Sequence, residues 1–157
     1  MTIYIGIDPG FSGAIAFYAP KENIVSVYDM PVYQNAKGKT EINLYELHDI
    51  LAPETDEPHM AIIEQVAAMR GQGVTSMFRF GQSYGATQMA VAAHKIPMRM
   101  VTPAKWKAHF GLSKDKGVSR GLAAQCFPNQ AKMFSRVKDD GRAEAALIAL
   151  YGYEVNK

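Results

Sequence analysis

The sequence predicts an α/β domain built on a mixed five-stranded sheet, three antiparallel strands followed by parallel ones, flanked by helices. Near the start, three apolar stretches (Ile3 to Asp8, Gly13 to Tyr18, Asn23 to Met30) are separated by turns of only a few residues. That is the spacing of antiparallel neighbours. Two more strand-like runs, Met60 to Glu64 and Pro97 to Val101, are each reached through a stretch of helical periodicity, the usual connection between parallel strands. After Val101 the pattern is helical to the end.

Each element has its own signal. Ile3 to Asp8 is a buried strand ending in an acid, and Asp8-Pro9-Gly10 makes a tight turn into the second strand. Pro20 to Glu22 turns the chain into the third. Pro31 to Thr40 is polar and contains glycine, so it is expected to be a mobile loop. Glu41 to Leu51 places Ile42, Leu44, Leu47, Ile50 and Leu51 near helical spacing, and Pro53 ends the helix. Thr75 to His94 is a long helix with small residues on one side (Gly81, Gly85, Ala86, Ala90, Ala93). Pro103 suits the first turn of a short helix to Phe110. Further helices run from Lys114 or Asp115 to Cys126 and from Asp140 to Tyr151. With no repeat, low-complexity tract or linker, residues 1–157 form a single domain.

Composition narrows the function. Apolar residues make up 48% and charged residues 20%, an ordinary globular balance. The lone Cys126 cannot form an internal disulfide or a thiolate cluster, and it is expected to be buried and inert. Met1-Thr2-Ile3-Tyr4-Ile5 lacks the pattern of a signal peptide, and no stretch nears the ~18 apolar residues of a membrane span. A soluble, cytoplasmic protein is the expectation. The net charge of +2 hides an asymmetry. No Lys or Arg falls between Glu41 and Glu64, whereas Lys105, Lys107, Lys114, Lys116, Arg120, Lys132, Arg136 and Lys138 face only Asp115 in their stretch. Such a segment attracts a phosphate backbone, or is simply a solvated helix surface.

Four acids stand out. Asp8 and Glu64 each end an apolar strand, and ligand sites of open α/β sheets gather at the carboxyl ends of strands. Asp140 and Glu144 are four apart on the last helix and share a face. Capping of the helix start explains Asp139 or Asp140 as well as metal binding does. It does not explain Glu144 within an Ala/Leu/Ile stretch. An oxygen-only set of this kind suits Mg²⁺ or Mn²⁺, and two such ions promote phosphodiester hydrolysis. The four histidines have no paired ligand spacing and no GxxxxGK[ST] loop is present, which argues against zinc and against a P-loop.

Ile5-Gly6-Ile7-Asp8-Pro9-Gly10, Ile63-Glu64-Gln65-Val66, Gly81-Gln82-Ser83-Tyr84-Gly85, Val101-Thr102-Pro103-Ala104-Lys105-Trp106-Lys107 and Asp140 with Glu144 together resemble the RuvC family of Holliday junction resolvases. The resemblance spans nearly the whole chain, and Asp140-Gly141-Arg142-Ala143-Glu144-Ala145 looks more like the phage-type branch. It implies an RNase H-like fold and a homodimer acting on four-way DNA junctions; the departure at Ala67, described below, extends the expected substrates to other branched DNA such as flaps and forks. It further implies Mg²⁺ or Mn²⁺, two per active site, in a bacterial or phage-infected cell. Carried onto this sequence, Asp8, Glu64, Asp140 and Glu144 bind metal, and Lys116 joins them as a catalytic residue. Lys107 and Lys116 hold phosphates near the scissile bond; apart from the resemblance, Lys105, Lys114 and Arg120 of the basic segment and Arg70 of the glycine-containing loop are the further expected DNA contacts. Bacterial members end in two aspartates three apart, so the spacing here leaves Asp139 as an alternative ligand. Where they carry an aromatic residue three positions after the strand glutamate, this chain has Ala67, with Met69 and Arg70 nearby as substitutes.

Trp106 is expected to pack a short helix beside Phe110 and Leu112, with base stacking as the alternative. Met77, Phe78, Phe80 and Tyr84 divide between sheet packing and a dimer surface. The competing functions are an RNase H-like nuclease acting on RNA or RNA–DNA hybrids, and a non-catalytic branched-DNA-binding protein.

Overall fold

The computed structural model describes residues 1–157, except for the side chain of Lys116. Seven strands and five α-helices follow in order: β1 (Ile3–Asp8), β2 (Ala14–Ala19), β3 (Ile24–Asp29), β4 (Val32–Gln34), β5 (Thr40–Ile42), α1 (Leu44–Leu51), β6 (His59–Glu64), α2 (Val74–Ala93), β7 (Met98–Val101), α3 (Pro103–His109), α4 (Lys116–Cys126) and α5 (Asp140–Glu154). Two 3-10 segments, Pro128–Phe134 and Val137–Asp139, join α4 to α5.

The main sheet has five strands in the order β3-β2-β1-β6-β7. β1, β2 and β3 pair antiparallel, while β6 pairs parallel with β1 and β7 parallel with β6. This is the mixed sheet that the element order predicts. α1 and α2 cover one face, where Ile5, Ile7, Ile15, Ala61 and Ile63 meet Leu47, Leu51 and Val91. α3, α4 and α5 cover the other, where Tyr4, Ala16, Tyr18 and Ile62 meet Trp106, Ala123, Leu147 and Ile148.

Strand alternation decides which residues reach which layer. In β1, Ile5 and Ile7 point toward α2, so Tyr4, Gly6 and Asp8 point toward α5. In β6, Ala61 and Ile63 take the first direction, and Ile62 and Glu64 the second. α5 is the central helix of its layer: Gly141 and every residue from Ala143 to Gly152 are buried. A helix apolar on all sides belongs inside a protein, and Glu144 is the charged residue within that buried run.

The expected loop from Pro31 to Thr40 is instead largely a hairpin. β4 and β5 form a separate two-stranded sheet with the register Val32↔Ile42, Tyr33↔Glu41 and Gln34↔Thr40. Polar side chains pin it. Tyr33 Oη donates to Glu41 Oε2 at 2.7 Å, Gln34 Nε2 to Thr40 Oγ1 at 2.8 Å and Asn35 Nδ2 to Glu41 Oε1 at 2.9 Å. The hairpin takes the residues before Leu44 out of the expected helix, so α1 starts later, capped by Asn43, which accepts from Glu46 N. The 3-10 turns after Phe127 are likewise elements that the sequence reading left out.

Candidate active site

β1 and β6 run side by side with Ile7 opposite Ile63, so the next residue of each, Asp8 and Glu64, sits at the same carboxyl end of the sheet. Both point to the α5 side, where Glu144 projects from the second turn of the helix. One carboxylate oxygen from each of Asp8, Glu64 and Glu144 lies within 4.8 Å of the others. Glu64 is 9% and Glu144 8% exposed. Two unit charges at that separation repel by roughly 3 kcal/mol at an effective dielectric constant of about 20. Holding three carboxylates so close is favourable only with cations at hand. Oxygen ligands at this spacing fit a hard divalent ion.

Close backbone approaches hold these elements in place. A Cβ on Gly6 would stand 2.1 Å from the Ala145 carbonyl oxygen, and one on Gly141 would stand 2.3 Å from the Ser12 carbonyl oxygen. Side chains at either position would push α5 off β1 or off the turn that follows Asp8.

Among the described residues, Lys107 and Trp106 meet the cluster, and Arg120 meets Asp140 beside it. Lys107 Nζ lies 3.4 Å from Glu144 Oε1 and 5.3 Å from the centre of the Trp106 ring. The buried Trp106 Nε1 donates to Glu64 Oε2 at 2.7 Å. The core position expected for Trp106 is what the structure shows, and at 0% exposure its ring is not open for base stacking. The bond to Glu64 is a contact at the acidic cluster that sequence reasoning missed. Arg120 Nε donates to Asp140 Oδ1 at 2.9 Å. Asp140 lines the same crevice as the three clustered acids but lies one turn nearer the start of α5, engaged by Arg120.

Asp139 has a different role. It is 1% exposed and takes Arg136 N at 2.9 Å, with the Arg136 guanidinium on both of its oxygens. That hydrogen bonding holds its carboxyl below the ordinary carboxylate range. It occupies the N-cap position of α5 but makes no side-chain cap bond; it ties the preceding 3-10 turn together instead. Arg142 extends the network with two 2.7 Å hydrogen bonds to Asp29, which lower the Asp29 carboxyl as well.

The crevice has a volume of about 650 Å³ and is lined by Asp8, Glu64, Asp140 and Glu144, with Arg136 and Lys138 at its rim. Lys105 and Lys114 are exposed on the segment that leads from β7 toward α4, and Arg70 is exposed on the loop after β6 with Ala67 and Met69. Lys116 opens α4, but its side chain lies outside the described residues. A second groove, of about 730 Å³, runs between the β4–β5 hairpin and α2. There Arg79 donates to the Thr40 carbonyl and stacks on the Phe11 ring.

No family model and no curated protein matches this sequence. Solved structures do match its fold. Thermus thermophilus RuvC in complex with a Holliday junction substrate is similar with a TM-score of 0.61 and 16% identity, covering 100% of this chain and 98% of that one. A second Thermus thermophilus RuvC structure gives 0.56 and 15% identity, over 98% and 96% of the two chains. The yeast mitochondrial Holliday junction resolvase Ydc2 gives 0.48 and 17% identity, over 94% and 75%. The two RuvC structures, at 0.61 and 0.56, show that the fold is the RNase H-like fold of RuvC, which is the fold implied by the sequence resemblance.

Proposed function

We propose that this chain is a divalent-metal-dependent endonuclease that resolves four-way DNA junctions and acts on related branched DNA such as flaps and forks. One observation carries the reading: Asp8, Glu64 and Glu144 converge within 4.8 Å at the carboxyl end of adjacent strands, on the fold that one RuvC displays with a Holliday junction bound.

In this reading Asp8, Glu64 and Glu144 hold Mg²⁺ or Mn²⁺. Asp140 joins them where a second ion is bound. When present, such ions supply an acidified water and neutralise charge developing on the phosphate. The protein's own groups do the rest. Lys107, already drawn to Glu144, and Lys116 at the start of α4 contact phosphate near the scissile bond. Arg70, Lys105, Lys114 and Arg120 hold the arms, and Lys138 and Arg136 widen the positive rim.

A homodimer would bring two such crevices to one junction. Its interface is proposed on the outer face of α2, where Val74 (87% exposed), Phe78 (67%) and Met89 (64%) form an apolar stripe. Between them Gly81 and Gly85 face open space, which lets two helix backbones cross closely. Apolar stripes of this kind seldom stay uncovered on soluble monomers. Placement in the phage-type branch, and hence in the cytoplasm of a bacterial or phage-infected cell, rests on the sequence from Asp140 to Ala145. No helix is long and apolar enough to cross a membrane.

The test is cleavage of a mobile four-way junction, a flap and an RNA–DNA hybrid, each with and without Mg²⁺ or Mn²⁺. The junction should be cut only with metal. Asp8→Asn, Glu64→Gln and Glu144→Gln should abolish cutting while binding the junction within a few-fold of the parent. Substantial junction cleavage by Asp8→Asn in Mg²⁺ would overturn the assignment. Preference for the hybrid over the junction would move the substrate to RNA.

A further inference from the structure

We infer that Trp106 is a positioning residue of the metal centre, its indole N–H presetting the Glu64 carboxylate for the ion, and that it is thereby an intrinsic reporter of metal binding. The inference rests on the metal-nuclease reading above and assigns a role to a residue outside the acidic set.

The placement follows from the local chain. β7 ends at Val101, which lies opposite Glu64 in the sheet, and Gln65 N bonds to the Val101 carbonyl at 2.7 Å. Thr102 caps α3, accepting from Lys105 N, and Pro103 sits in the first turn. The short helix therefore starts beside the end of β6, and its inward residue, Trp106, meets Glu64 across 42 positions of sequence. The Trp106 side chain is fully buried. A buried indole N–H needs an acceptor, and a backbone carbonyl would be enough for packing alone. Here the acceptor is Glu64 Oε2 at 2.7 Å, the length of a charge-assisted bond.

That bond has two consequences. The terminal torsion of a glutamate is broad and soft; a fixed donor on Oε2 restricts it and so sets the plane in which the carboxylate meets a cation. Outer partners that orient a metal ligand in this way typically contribute 10–100-fold to metal affinity. The same ring also lies under Lys107 Nζ, at 5.3 Å from its centre, and that ammonium reaches Glu144 at 3.4 Å. One buried side chain thus braces two of the three clustered carboxylates, one directly and one through a cation. A purely structural tryptophan would fill the same volume with its N–H on a main-chain acceptor, indifferent to the cluster.

Trp106 is the single tryptophan of the chain, so its emission can be assigned without mutation. Titration with Mn²⁺ and with Mg²⁺ should change the intrinsic fluorescence saturably, at the same midpoint that calorimetry gives for binding. Glu64→Gln should remove the response. Trp106→Phe keeps an aromatic ring in the core and deletes the donor. It should bind Mn²⁺ about 10–100-fold more weakly by calorimetry, while binding a four-way junction in metal-free buffer within twofold of the parent. Unchanged Mn²⁺ affinity in Trp106→Phe overturns the inference, as does parent emission that stays flat while calorimetry records binding. If Trp106→Phe does not fold, the parent and Glu64→Gln titrations decide alone. Absence of any metal binding to the parent would sink this inference together with the nuclease reading. Metal binding that ignores Trp106 would sink only the former.

Discussion

Gly6→Ala adds a single methyl group at a point where strand β1 lies against the backbone of α5. The new carbon would stand 2.1 Å from the Ala145 carbonyl oxygen and 2.3 Å from Ala149 N. Both are helix main chain, so neither can rotate away. Reaching an ordinary contact of about 3.5 Å requires the strand and helix to separate by roughly 1 Å. α5 is also seated closely at Gly141 against Ser12 and at Gly152 against Ile62, so it cannot simply tilt. Overpacking of this kind costs about 1–3 kcal/mol, and the backbone clash places Gly6→Ala near the upper end. At about 2–4 °C per kcal/mol for a domain of this size, the melting midpoint should fall by roughly 6–12 °C. Function should fall further than stability. Gly6 is two residues before Asp8 and faces the residue after Glu144, so the same displacement opens the acidic cluster. A misplacement of about 1 Å can reduce a rate by about 100-fold. Thermal unfolding and metal-dependent junction cleavage measure the two effects. Gly121→Ala on the exposed side of α4, where an added Cβ meets nothing within 4 Å, is the control. It should keep the midpoint or raise it by up to about 4 °C, from up to about 1 kcal/mol of helix propensity. A Gly6→Ala protein that melts with the parent and cuts at the parent rate would refute the close-packing argument.

Arg120→Ala should lower the Mg²⁺ concentration needed for half-maximal cleavage by about fivefold, because releasing Asp140 from a partly exposed ion pair costs up to about 1 kcal/mol. An unchanged or higher metal requirement would show that Asp140 serves only to hold α4 against α5. The acid limb of stability should come from Asp29 and Asp139, whose carboxyls are held down by hydrogen bonds from Arg142 and Arg136. For a depressed carboxyl the contribution is whole above the unfolded value, about 3.9, and is lost as pH falls through the lower folded value. Melting midpoints should therefore be nearly free of this contribution's pH dependence down to about pH 4 and fall below it. Asp139→Asn should destabilise at neutral pH by about 1.5–3 kcal/mol and flatten that acid limb; a parallel, undiminished acid limb in the variant would refute its source.

How much of this was legible in the sequence depended on how local the cause was. The strand-end acids were readable because strand alternation and strand ends are properties of a few adjacent residues: Met60-Ala61-Ile62-Ile63 fixes the direction of Glu64 once one face is known. The β4–β5 hairpin was not readable. Its strands are three residues each, the side chains of β4 are exposed, and what pins it is a set of polar bonds between residues six to eight apart. No apolar period marks such a ladder. The hydrogen bond from Trp106 to Glu64 lay further out of reach, since it is set by the packing of α3 against the end of β6.

Helical spacing correctly put Asp140 and Glu144 on one face of α5, yet one face does not mean one environment. Glu144 lies a full turn deeper, where the helix is buried on all sides, so its charge depends on the groups packed beside it: Lys107 opposes it at 3.4 Å, and the carboxylates of Asp8 and Glu64 add to it. Asp140 lies at the mouth, where α4 comes within reach, and Arg120 pairs with it at 2.9 Å with both side chains about a quarter exposed. The same spacing thus yields a carboxylate committed to the cluster and another held by a cation that can exchange. Because partly exposed pairs contribute little whereas charges packed into a low-dielectric crevice interact strongly, the Arg120 pair holds Asp140 only weakly, while the surroundings of Glu144 are set by the fold itself.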